Sequence, residues 1–215
     1  MPTPDHRLVQ HPIVNDDPSI EPSARQPLQP LQSPQSLQSQ LDRLALGPES
    51  RVWFYPTNRP LTDPERIHML SALDAFTSQW QAHGTPLNAA ATILLHDIVV
   101  LAVDESSQQA TGCSIDASLS FLRHLPESLP SLADLDIFDR SWVFHAALPN
   151  PNPETADSPP VSEVLTWQRS RLHDFWARCK SGTVPPTTPI VDTTIHKLGQ
   201  PLIQPLESSW HATMW

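Results

Sequence analysis

Glycine is scarce in this chain, with five residues at positions 47, 84, 112, 182 and 199 among 215. Loops that cradle phosphate need closely spaced glycines so that the backbone can wrap the anion. The spacing here excludes both a Gly-x-x-x-x-Gly-Lys-Ser/Thr loop and a Gly-x-Gly-x-x-Gly turn, and there is no Gly-x-Ser-x-Gly elbow. Lysine is scarcer still (Lys180 and Lys197 only), and the formal net charge is −10. Such a surface repels phosphate backbones, so no nucleic-acid partner is expected. Two cysteines, Cys113 and Cys179, are too few for a disulfide framework and fit a reducing compartment. The ten histidines form no His-x-His or His-Glu-x-x-His pattern, and no Cys-x-x-Cys occurs, so neither a metal site nor a cofactor is expected. Long apolar runs are absent as well. Ile98–Val103 is the longest and has strand length, and Met1–Val14 has no signal-peptide pattern. These absences describe a soluble cytoplasmic protein with no membrane span.

Proline, by contrast, is abundant at 25 residues. Residues 1–48 are rich in Pro, Gln, Ser and Leu, with apolar residues too thin to bury a core, and read as a disordered leader. Only Leu37–Leu46 suggests a transient helical turn. A single α+β domain is expected over residues 49–215.

That domain opens with a β-type run, Val52-Trp53-Phe54-Tyr55, stopped by Pro56. Thr62 and Glu65 form a capping box, with Pro64 in the first turn of a helix whose face carries Ile67, Leu70, Leu73, Phe76 and Trp80. Ala91–Leu95 and Ile98–Val103, separated by His96-Asp97, predict a tight hairpin. The second of these strands is apolar throughout, so both its faces should be covered. A helix after Gly112, a strand over Trp142–Leu148, a Pro-rich loop over Pro149–Pro160, a helix from there to Gly182 and a strand over Ile190–Ile195 complete the pattern. The order β-α-β-β-α-β followed by α-β predicts one mixed or antiparallel sheet, with helices mainly on one face.

One corner gathers the chemistry. The stretch Val103-Asp104-Glu105 followed by Gly112-Cys113-Ser114-Ile115-Asp116 places two carboxylates at a strand end and a thiol at a helix start, where orphan N–H groups favour anions and thiolates. Cys113 or Ser114 acts there either as a reactive group or as a helix cap. Asn58 and Arg59, after the first strand, would join the corner if both loops share one end of the sheet. Arg59 would then pair with an anionic group.

Three blocks resemble a family of small bacterial proteins that often carry the automatic label "ABC transporter ATPase". They are Val52-Trp53-x-Tyr55-x-x-Asn58-Arg59-x-Leu61, Phe76-x-x-x-Trp80-x-Ala82-His83-Gly84, and Val103-Asp104-Glu105 with Ala110-x-Gly112-Cys113-Ser114-Ile115-Asp116-x-Ser118. The family is functionally uncharacterised and the likeness spans residues 50–215. The missing phosphate loop argues against ATP hydrolysis whatever the label.

The leading expectation is therefore a non-catalytic module that binds a small polar or anionic ligand, or a protein partner. Asn58, Arg59, Asp104, Glu105, Ser114 and Asp116 would be its binding residues. The rival is a thiol enzyme with Cys113 as nucleophile, His83 as base and Asp104 or Glu105 as orienting carboxylate.

Overall fold

The structure is a computed structural model that describes residues 34–147 and 166–214. It is α+β, built on two antiparallel sheets where the sequence predicts one. The first sheet has the order β1-β5-β4, formed by β1 (Arg51–Pro56), β4 (Asn88–Leu94) and β5 (Ile98–Asp104). The short β2 (Gln81–Ala82) and β3 (Thr85–Pro86) make a separate hairpin. The second sheet has the order β7-β6-β8-β9, from β6 (Trp142–Ala146), β7 (Trp167–Arg171), β8 (Pro189–Val191) and β9 (Ile203–Pro205). The strand after the Gly112 helix thus starts a new sheet, so the β-α-β-β-α-β run does not close into the single sheet that its order predicts.

Strand β5 is central, as its unbroken apolar run predicts. Its residues from Ile98 to Val103 are all fully buried. Alternation along the three strands sorts the core. Val52, Phe54, Ile98, Val100 and Ala102 face one cluster, which also holds Phe144, Trp167 and Val191 of the second sheet. Tyr55, Ile93, Val99 and Leu101 face the other, under α2 (Asp63–Gln79) and α3 (Gly112–His124).

Helix α1 (Pro34–Asp42) corrects the reading of the leader. Leu37 and Leu41, one helical turn apart, are buried at 0% and 2% exposure on the face shared with the second sheet. Two leucines suffice because the sheet supplies the rest of the apolar contact. Helices therefore cover both faces of the first sheet, not one. Residues 1–33 and the Pro149–Pro160 loop lie outside the described residues.

Locally, the capping box at α2 forms, with the Thr62 N–H donating to Glu65 at 2.8 Å. The inward line of α2 is Glu65, Met69, Leu73 and Thr77, so Ile67, about 200° round the helix from Glu65, points to solvent. The predicted long helix ending at Gly182 is β7 followed by α4 (Leu172–Lys180). Residues 158–165 of that prediction fall outside the described residues. Arg169 and Arg171 alternate in β7 so that both guanidinium groups lie over the Trp142 ring, at 4.1 and 3.8 Å, which lets a charged segment serve as a strand.

Candidate functional site

The register of β1 against β5 divides the predicted corner. Pro56 pairs with Ile98 and Arg51 with Val103, so the loop after β1 sits at the start of β5 and Asp104 at its far end. Six residues of strand put the two groups roughly 20 Å apart, at about 3.4 Å per residue. Asn58 and Arg59 cannot share a small ligand with Asp104, Glu105 and Ser114.

Arg59 is also already saturated. It donates to both Glu65 carboxylate oxygens at 3.1 and 3.0 Å, to Asp134 at 2.9–3.2 Å, and to the carbonyls of Pro60 and Ser131. Asn58 donates to the Asp134 carbonyl and accepts from the Asp136 N–H. Together they staple the β1–α2 loop to the segment after α3. Their work is structural.

At the other end, Thr111 rather than Cys113 caps α3, and Ser114 completes a reciprocal capping pair with it. The Ser114 carbonyl also accepts from the Trp80 indole at 2.8 Å, so the buried Ser114 is fully committed. Asp104 accepts from the Ser106 N–H and from Asn88, and Glu105 accepts from the Ala110 N–H. These bonds lower the Asp104 carboxyl, led by the Ser106 N–H. Each carboxylate shapes its own turn. Cys113, Asp116 and His83 are exposed, His83 at the β2–β3 turn with φ 52 and not at the end of a helix. Among the described residues no hydrogen bond or ion pair joins His83, Cys113 and the two acids. His145, another possible base, is fully buried between the Ala146 carbonyl and Ser170, and burial pushes its pKa down.

The β4–β5 turn carries two features that the sequence did not announce. Asp97 is 7% exposed and accepts from Arg169 at 3.1 Å, linking the first sheet to the second. Burial pushes its carboxyl up to about 6, against the pull of Arg169 and His96. An acid raised in this way favours folding below its ordinary 3.8, and that advantage is lost as pH climbs through about 6. Replacing Asp97 by Asn is expected to flatten the pH dependence of stability between pH 4 and 6, by on the order of 2 kcal/mol. Urea midpoints taken every half unit check this; a slope equal to that of the wild type would refute it.

The second feature is a cleft of about 420 Å³ beside β4. It is lined by Gln40, Arg43 and Leu44 from α1 and its end, Arg66 from α2, Ala91, Thr92 and Ile93 from β4, and Leu95 and His96 from the turn. Leu95 and His96 both take positive φ, 53 and 62, and the Asp97 N–H returns to the Leu94 carbonyl at 3.0 Å. The turn residues that favour this conformation are Asn and Gly, so the chain holds it here with side chains that resist it. Asp63 lies 3.9 Å from the His96 ring and 4.0 Å from Arg66. No carboxylate pairs with Arg43 among the described residues. The site escapes sequence reasoning because its basic side chains come from three separate elements, one of them within the supposed leader.

Among the described residues no group of His, Cys, Asp and Glu is arranged to hold a metal ion, and no helix is long and apolar enough to cross a membrane. No family profile matches the chain, and no curated protein or solved structure shows significant similarity to it.

Proposed function

We propose that this protein is a non-catalytic binding module that receives an anionic group in the cleft between Arg43, Arg66 and His96. The observation that carries this reading is a local excess of guanidinium groups: Asp63 lies against Arg66 and His96, while no carboxylate among the described residues pairs with Arg43. In a chain of net charge −10, two guanidinium groups and an imidazole gather around an uncharged strand. Guanidinium pairs suit carboxylate and phosphate oxygens because their N–H groups fork to match them. The cleft volume falls in the range usual for small-ligand sites, and Leu44, Ile93 and Leu95 supply apolar wall beside the charges.

Titration of the full chain with inorganic phosphate and with citrate, followed by amide chemical shifts, tests the proposal. Shifts are expected at Gln40, Thr92 and His96, with affinity falling roughly tenfold in Arg43→Ala and further when Arg66→Ala is added. Arg43 is exposed, so its removal leaves the fold intact. Equal affinity in the double variant would place anion binding elsewhere.

A further inference from the structure

We infer that the cleft's occupant is an extended acidic stretch of a partner polypeptide, which adds to the free edge of β4 as a fourth strand of the first sheet; this rests on the anion-binding reading of the same cleft. Strand β4 is the outer strand in the order β1-β5-β4. Proteins normally protect such edges with charge, proline, bulges or a covering segment. The other edges here follow that rule. The outer side of β1 is closed by His196 and Leu198, whose backbones bond to Val52 and Ser50 at 3.0 Å. The edge strand β7 carries Arg169 and Arg171, and β9 has three residues and ends in Pro205. In contrast, β4 is seven residues long, uncharged, and pairs with β5 without a bulge from Asn88↔Asp104 to Leu94↔Ile98.

The backbone of β4 is presented for pairing. The Leu94 carbonyl turns inward to the Asp97 N–H. Antiparallel alternation then directs Thr92 and Ala90 toward β5 and leaves the N–H and C=O groups of Ala89, Ala91 and Ile93 on the open side. Among the described residues no other backbone group bonds to these three. Ala89, Ala90, Ala91 and Thr92 are all half-buried, and their small side chains leave room for another backbone to approach.

Charge then selects the partner. Helix α1 lies on one face of the sheet and α2 on the other, so Arg43 and Arg66 flank the β4 edge from opposite sides. Successive side chains of an added strand also point to opposite faces. Two adjacent acidic residues in the partner would therefore meet Arg43 and Arg66 in turn, with His96 at the end of the strand. Backbone pairing supplies affinity, and the paired acids supply register.

The test uses the full chain and eight-residue peptides of alternating Thr and Val, capped at both ends. One has a central Glu-Asp pair, one a central Lys-Lys pair, and one repeats the acidic sequence with N-methyl groups on alternate residues, made in both phases. The acidic peptide is expected to bind and to slow hydrogen exchange at Ala89, Ala91 and Ile93, while the Lys-Lys peptide does not bind. One methylation phase should weaken binding at least tenfold and the other should leave it nearly unchanged, because only one set of amides faces β4. If both phases bind as the parent does, or if phosphate binds and the acidic peptide does not, strand addition is wrong while the anion site stands. Failure of phosphate, citrate and peptide alike removes both. A chain that sediments as a dimer with those three amides already protected would show that a second copy holds the edge, and would overturn the inference.

Discussion

Replacing Arg59 by alanine is expected to lower folding stability by about 3 kcal/mol at pH 7. Glu65, its main partner, has a side chain only 5% exposed, and Arg59 answers both of its carboxylate oxygens. Removing the guanidinium would strand a buried charge, which costs more than losing the attraction itself. The Arg59 side chain is 26% exposed, which places the effect at the lower end for buried pairs. In a chain of this length the loss corresponds to a fall in Tm of about 6–12 °C. The linkage has a definite sign. Arg59 is the largest influence holding the Glu65 carboxyl down at about 2, from its ordinary 4.5. The stability this provides is complete above pH 4.5 and is lost as pH falls through about 2. The gap between wild type and variant should therefore narrow in acid. Urea unfolding at pH 7 and at pH 3 measures both effects, and a difference below about 1 kcal/mol at pH 7 would contradict the staple described above. Asp134→Ala serves as the contrast: its side chain is 73% exposed, so its loss should cost under about 1 kcal/mol.

The second large effect concerns α1. Leu37→Ala combined with Leu41→Ala is expected to remove about 4 kcal/mol, less than the sum of two separate core truncations. The reason is that the loss saturates. A nine-residue helix is too short to persist alone, so once its contacts fall below the cost of ordering it, α1 leaves the sheet and the remaining core keeps its own stability. Arg43 would go with it, and phosphate binding in the cleft should disappear. Limited proteolysis should then cut within residues 34–46 while the rest of the chain resists. Retention of wild-type phosphate affinity in this variant would show that α1 contributes nothing to the cleft.

Much of the local structure was legible in the sequence. Thr62 and Glu65 announced a helix start because a capping box is complete within four residues. Ile98–Val103 announced a central strand because no polar residue interrupts it. Pairing was not legible in the same way, since β1 chooses β5 across the length of α2 and the β4 turn. The corner of Asn58, Arg59 and Asp104 depended on that choice and failed with it. Strand β7 was hidden because Arg169 and Arg171 look solvent-bound until Trp142 is placed beneath them. Helix α1 was hidden because its Gln and Ser residues resemble a solvated leader, and only the apolar cluster shared by the two sheets shows why Leu37 and Leu41 are spaced by four. Capping by Cys113 or Ser114 was open to sequence reasoning as an alternative to chemistry, but the cap is Thr111, with Ser114 as its reciprocal partner in the first turn.

The seal over β1 has a consequence for how the protein is made. Val52 and Ser50 emerge in synthesis well before the backbones that close their outer side, those of His196 and Leu198. Until then the nascent first sheet carries two open rims instead of one. Stalled or truncated products would therefore present extra unpaired strand to their neighbours, and self-association is the failure expected of such fragments.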